Sequence, residues 1–345
     1  MSQPVFTLIE GPPLAHPLPG LTLPQWIRAR ARARHRPDAA ALIDGISGSR
    51  YSYGALDHLV GRCAAGLAAL GFARGDVLLM LAPNSPEWPI AALGAMAAGG
   101  AVSGADPGYG AADLAQQWCQ TGARFVFTTP ALLATVREAA AAAAAAGMAG
   151  AAGPLHILLL GDADGAVAFA SLLACADTEP VWACASGDTG AADAALDATA
   201  AALPFSSGAT GLPKGVLLTH RRLLAHLCQL EQANPLRAGS VVLALLPMFT
   251  VFSFISVTLA GLARGCSVVT LPRFEPALFL QTLASHRVTW LATVPPILRF
   301  LARHRLVDAH DLSSLERITC CAAHAAPALQ AQVAARLHCA VEMQG

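Results

Sequence analysis

Charge is scarce in this chain of 345 residues. Asp, Glu, Lys and Arg make up 13%, against an ordinary share of about 25%, and they cancel to a formal net charge of +0. A chain with so weak a field has no broad basic surface for nucleic acid, and no nucleic-acid partner is expected. The one Arg-rich cluster, RARARARHR at residues 28–36, alternates with alanine and reads as the solvated face of a helix. No C-x-x-C pair occurs among the nine cysteines, and the adjacent Cys320 and Cys321 suit neither a zinc site nor an ordinary disulfide. A secretory leader is not expected either: MSQPVFTLIEGPP has Glu10 and prolines where a leader has a charged end and a long apolar core. These absences point to a reducing, cytoplasmic compartment. Between Arg237 and Arg264 there is no charged residue at all, a length that would allow a membrane span. Pro247 interrupts it, however, and Ser240, Thr250, Ser253, Ser256 and Thr258 are spread along it. It reads as a buried strand, a loop and a buried helix, so no membrane span is expected.

What the chain does have is apolar residues, 55% of the total, much of it alanine. Short apolar runs alternate with helical periodicity. Strands are expected at residues 39–43, 50–52, 76–81, 101–105, 123–128, 155–160, 241–246, 266–270, 290–294, 315–320 and 340–343. Helices are expected at 23–34, 53–70, 88–98, 112–121, 220–232, 276–286, 297–304 and 327–336. This alternation predicts an α/β fold: two stacked, mostly parallel sheets flanked by helices. The alanine run at 139–146, inside an Ala/Gly-rich stretch to 153, reads as a helix extension or low-complexity insertion with no polar residue to fix its register. A small-residue stretch, 183–202, reads as a linker. It divides a first α/β subdomain (1–202) from a second (203–345), with the two meeting near 200–205.

Just after that linker, residues 203–220 read LPFSSGATGLPKGVLLTH. Gly208, Gly211 and Gly215 let the backbone turn successive N–H groups toward one anion. Ser206, Ser207 and Thr210 add donors, and Lys214 adds a movable positive charge. The Walker pattern is absent, because Lys214 stands between Pro213 and Gly215 rather than before Ser or Thr. Two readings remain at the level of residues: a loop that holds a polyphosphate, or a Ser/Gly turn between buried strands.

The whole string resembles the phosphate loop of the adenylate-forming enzymes, and within them the acyl-CoA synthetase and 4-coumarate–CoA ligase branch. RPDAAALIDG, YSYGALD, AAGLAALGFARGDVLLMLAPNSPEW and ADPGYGAADLAQQWCQTGARFVFT carry the same likeness through the first half. The resemblance implies ATP with Mg²⁺, a small-molecule carboxylic acid and coenzyme A as co-substrate. It implies that Ser206, Ser207, Gly208, Ala209, Thr210, Gly211 and Lys214 hold the ATP phosphates, with Lys214 and Thr210 stabilising charge in the reaction. Mg²⁺ would be shared with ATP, with no metal ligand from these residues.

The chain departs from the family pattern at several places. Ala209 stands where the loop commonly has Thr or Ser. In LPMFTVF, Thr250 stands where relatives have a histidine beside the acyl carboxylate. That segment is either part of the acyl pocket, with Phe249, or only a turn at a strand end. Ala323, His324, Ala325, Ala326 and Pro327 resemble the family's pocket-lining Ser-Gly-Ala-Ala-Pro, with His324 at the glycine. His324 either fills the pocket or stands in for the histidine missing at Thr250. Relatives continue past this point with Tyr-Gly-x-Thr-Glu, a ribose-binding Asp and a C-terminal domain carrying the adenylation lysine. These residues alone are therefore not expected to complete thioester formation. The alternative is a non-catalytic nucleotide-binding or interaction protein that retains the fold.

Overall fold

The computed structural model describes residues 13–34, 37–145, 154–174, 196–206, 213–233 and 236–343. In chain order the elements are α1 (Leu23–Arg34), β1 (Ala40–Asp44), β2 (Arg50–Ser52), α2 (Tyr53–Ala69), β3 (Val77–Leu81), α3 (Glu87–Ala97), β4 (Ala101–Gly104), α4 (Ala111–Thr121), β5 (Phe125–Thr128) and α5 (Leu133–Ala145). Next come β6 (His156–Leu159), β7 (Val167–Ala168), α6 (Phe169–Ala174), β8 (Ala200–Ala202), β9 (Phe205–Ser206), β10 (Lys214–Gly215), β11 (Leu218–Thr219), α7 (His220–Ala233) and β12 (Val241–Ala244). The rest is a π-helical segment (Phe252–Leu259), α8 (Ala260–Arg264), β13 (Ser267–Thr270), α9 (Pro276–Ser285), β14 (Trp290–Thr293), α10 (Pro295–Arg303), β15 (Arg317–Cys320), α11 (Pro327–Leu337) and β16 (Ala340–Met343).

The expected strands and helices are present, with ends differing by a residue or two. Local chemistry sets several of those ends. Ser52 Oγ accepts the Ala55 N–H at 3.1 Å and caps α2. Gly122 closes α4 in the left-handed conformation, φ 63°. Pro276, Pro295 and Pro327 each open a helix, where a missing N–H costs nothing.

Two seven-stranded sheets form the frame. One runs β11-β8-β4-β3-β5-β6-β7 and the other β16-β15-β14-β12-β13-β1-β2. All pairings are parallel except β11 with β8 and β2 with β1. Side chains alternate between layers, as strand geometry requires. In β3, Leu78 and Met80 face a core that also contains Val242 and Ala244 of β12. Val77, Leu79 and Leu81 face a second core under α4 and α5. Leu243 faces a third, under α9, α10 and α11. The first of these cores is filled by α1, α2, α3, α7 and the π-helical segment. The result is five layers, helix–sheet–helix–sheet–helix.

The sheets do not follow the division at residue 202. β1 and β2, early in the chain, belong to the later sheet, with Leu42 beside Val268 and Ile43 beside Val269. β11, after the division, returns to the earlier sheet, where Leu218 pairs with Ala202. The apolar run Ala41–Leu42–Ile43 encodes a buried strand but not which sheet receives it, and only the parallel register against β13 decides that. Residues 200–202 of the expected linker are strand β8; residues 183–195 lie outside the described residues. Of the alanine run, 139–145 is helical and the remainder lies outside the described residues. The uncharged stretch after Arg237 contains β12, a turn and the π-helical segment. Among the described residues no helix is long and apolar enough to cross a membrane.

Candidate active site

From β8 the chain passes through Leu203 and Pro204 into β9. β10 returns antiparallel, placing Lys214 opposite Ser206 and Gly215 opposite Phe205. The Phe205 ring lies against Gly215, where a Cβ would come within 3.2 Å of it. Ser206 and Lys214 are exposed, and Lys214 is the only lysine in the chain. Ser207, Gly208, Ala209, Thr210 and Gly211, the remainder of the expected phosphate loop, lie outside the described residues.

The entry to this hairpin is fixed from β4 and α4. Leu203 N–H donates to Val102 O at 2.8 Å. Ser103 Oγ donates to Leu203 O at 2.8 Å, and the Gln117 amide donates to Ser103 Oγ at 3.0 Å and to Gly104 O at 2.9 Å. Ser103 and Gln117 are buried, so these bonds are shielded from competing water.

Phe249 and Thr250 lie on the loop after β12. The Thr250 hydroxyl donates to Pro247 O at 2.8 Å and accepts the Ser253 N–H at 3.4 Å. It closes the turn into the π-helical segment, so the segment is a strand-end turn. Phe249 and Thr250 line a narrow cleft together with Pro204 and Leu218, which flank the hairpin, and with Trp88 and Gly104. The cleft holds about 20 Å³, room for about one water molecule.

Ala323 to Pro327 follow β15. His324 is exposed, and Ala325 is buried with its carbonyl accepting from the Gln330 amide at 2.8 Å. Ala322, just before, has φ 69°, a left-handed conformation that costs a non-glycine residue about 1 kcal/mol. In the sheet β14 separates β15 from β12, and all three run parallel. The Thr250 and His324 loops therefore leave the same carboxyl edge with one strand between them, about 10 Å apart at ordinary strand spacing. Ligands of open α/β sheets bind at such edges. None of residues 323–327 lines the Thr250 cleft.

Burial disfavours the thiolate form of Cys320 and Cys321. Burial, then the neighbouring Cys320, pushes the Cys321 thiol up to about 11, and its Sγ donates to Thr293 O at 3.2 Å. Among the described residues no group of His, Cys, Asp and Glu is placed to hold a metal ion.

Two other cavities are roomier. One, about 290 Å³, lies between α4 and the hairpin and is lined by Tyr109, Asp113, Gln116, Gln117, Phe205 and Pro213. The other, about 310 Å³, sits in the helical layer between α1 and α2, with Arg28 and Arg32 both bridged by Asp57 at 2.7 Å. It touches no strand end and neither candidate loop, so its size does not make it the site of the chemistry.

The residues that hold the two loops in place, Asn84, Gly104, Ser103 and Gln117, were not among the candidates read from sequence. Pro83-Asn84-Ser85-Pro86 signals a turn, but nothing in it announces a partner more than a hundred residues away.

A family model described as "AMP-binding enzyme" matches residues 29–345. 4-coumarate–CoA ligase 5 of Oryza sativa subsp. japonica is 37% identical over 336 residues, covering 95% of this chain and 58% of that protein. 4-coumarate–CoA ligase 3 of the same plant is 34% identical over 330 residues, covering 94% and 55%. The chain thus spans little more than half the length of these relatives. Among solved structures, the inhibitor-bound N-terminal domain of FACL13 from Mycobacterium tuberculosis matches with a TM-score of 0.78 at 24% identity, over 94% of this chain and 74% of that one. At that identity the likeness speaks for the fold alone.

Proposed function

Because the chain belongs to the AMP-binding enzyme family, we propose that it carries the nucleotide- and acid-binding part of an AMP-forming acid–thiol ligase of the 4-coumarate–CoA ligase or acyl-CoA synthetase kind. In that reaction a carboxylate oxygen attacks the α-phosphorus of ATP and pyrophosphate leaves. A thiol, that of coenzyme A, then attacks the acyl carbon and AMP leaves. Both steps depend on stabilising developing negative charge.

The observation that carries this reading is convergence. Pro204 and Leu218, which flank the hairpin on either side, and the Phe249–Thr250 loop, which follows a strand of the other sheet, line one cleft. Lys214, exposed on β10 and free to swing, is suited to the β- and γ-phosphates of ATP. Ser206, opposite it, offers a hydroxyl, and the amides of residues 207–211 with Thr210 are assigned to the same phosphates. Mg²⁺ would arrive with the nucleotide, held by its phosphate oxygens. Phe249, Thr250 and residues 323–327 are assigned to the acid. Phe249 and the small residues Ala323, Ala325 and Ala326 among them suit a medium-chain or cinnamate-like carboxylic acid. A reducing, cytoplasmic setting belongs to the same proposal.

One observation favours a second reading, that the chain binds nucleotide without turning it over. The Thr250 hydroxyl is spent on Pro247 and Ser253, and none of the residues lining the cleft is titratable. Calorimetric titration with MgATP, alone and with a panel of medium-chain and cinnamate-like acids, separates the two. The ligase reading predicts that ATP binds and that at least one acid binds more tightly in its presence. ATP binding with no acid bound in any combination supports the second reading, and no ATP binding overturns both.

A further inference from the structure

Asn84 lies in the turn after β3, in the sheet that carries the phosphate-loop hairpin, yet all its side-chain bonds cross to the other sheet. Its two amide hydrogens go to Ala244 O at 3.1 Å and Leu246 O at 3.0 Å. Its Oδ1 accepts the Met248 N–H at 2.7 Å. These partners fix the orientation of the amide, because the flipped form would set its oxygen against two carbonyl oxygens and its NH₂ against an N–H. The residue is buried, 6% exposed, so the three bonds are not replaced by water without a local opening.

The three bonded groups alternate along the backbone into the loop that bears Phe249 and Thr250. Ser253 Oγ donates to the same Leu246 carbonyl, so the π-helical segment is tied to the same point. β4, beside β3, holds the other side. Its Gly104 abuts the Phe249 backbone, and Val102 pairs with Ala202 at the root of the hairpin. Asn84 is therefore a polar link between the loop assigned to the acid and the sheet that carries the loop assigned to the phosphates. An acid carboxylate must sit within attacking distance of a phosphorus held by the other sheet, and small misplacements of such pairs are costly.

We propose that Asn84 is a positioning residue for the acid: it sets the Phe249–Thr250 segment against the phosphate-loop hairpin, and its loss weakens acid binding while sparing ATP. The proposal rests on the ligase reading above. It is tested on the whole chain with Asn84→Ala and with Asn84→Asp, which keeps the shape and the acceptor but turns a carboxylate oxygen toward two carbonyls. Two readouts are taken: affinity for MgATP and for the best-binding acid in the panel, and amide hydrogen exchange. The expected result is faster exchange at Met248, Phe249 and Thr250 in both variants, with acid affinity down roughly tenfold and ATP affinity within about twofold. If Asn84→Ala does not fold, Asn84→Asp decides. Parent-like acid affinity in a folded variant, or equal loss of ATP and acid affinity, overturns the positioning role. If the parent chain itself binds neither ligand, it is the ligase reading that falls; unchanged exchange at residues 248–250 would then still overturn the clamp by itself.

Discussion

The backbone of Phe249 rests on Gly104. A Cβ built at Gly104 would lie 2.6 Å from Phe249 Cα and 2.7 Å from its carbonyl oxygen. One residue at the end of β4 thus sets how closely the two sheets approach at their carboxyl edges. Glycine is needed there for space, since backbone atoms do not swing aside as a long side chain can.

Gly104→Ala is expected to force the sheets apart at this point and to destabilise the fold by about 1–3 kcal/mol, the usual cost of overpacking. Urea denaturation of parent and variant measures it. An unchanged midpoint would show that the two edges are not in register as described.

The alanine run of α5 has a defined inner face. Leu133, Val136, Ala139 and Ala143 are buried, while Ala141 and Ala142 are exposed. Ala139→Glu should cost about 3 kcal/mol or more, since it buries an unpaired charge, whereas Ala142→Glu should stay within about 0.5 kcal/mol. Thermal melts of the two variants compare them directly, and equal effects would mean that the helix has no fixed register.

The register of that helix was not legible from the alanines, which all look alike. It is set by Leu133 and Val136 upstream and by the core they enter. The strands were easier to read, because β3 and β12 are continuous apolar runs that only a sheet covered on both faces can bury. Sheet membership was not legible, as β1 shows: its Leu42 finds Val268 across more than two hundred residues. The candidate phosphate loop stood out in the sequence through its glycines, hydroxyls and lysine. Asn84 did not, because its role is defined by backbone groups that have no sequence signature. The use of the Thr250 hydroxyl inside its own turn was equally invisible, since Thr, Ser and Pro in a loop signal turn and pocket alike.

His220 gives the fold a dependence on pH. The Leu23 N–H donates to its Nδ1 at 3.2 Å, joining the start of α1 to the start of α7, and the ring is 1% exposed. Burial lowers its pKa from 6.5 to about 4. The unfolded chain therefore takes up the proton first. Stability from this group is complete above pH 6.5 and is lost as pH falls from 6.5 toward 4, by about 3 kcal/mol over that window. Burial lowers His156, His226 and His286 too, with the same sign. Asn offers an acceptor near the position of Nδ1 without titrating, so His220→Asn should flatten the slope of urea stability against pH between 6.5 and 4. A slope unchanged from the parent would contradict the assignment.

The central claim is that the β9–β10 hairpin presents Lys214 to the phosphates of ATP, and the presence of a single lysine makes this directly measurable. Lys214 carries the sole side-chain amine of this sequence, so peptide mass spectrometry after treatment with an amine-reactive acylating reagent separates its amide product from that of the N-terminal amine. With MgATP at ten times its dissociation constant, occupancy alone predicts labelling of Lys214 slowed about elevenfold, with the N-terminal amine labelled at its original rate. Lys214 labelled equally fast with and without saturating MgATP would contradict the account.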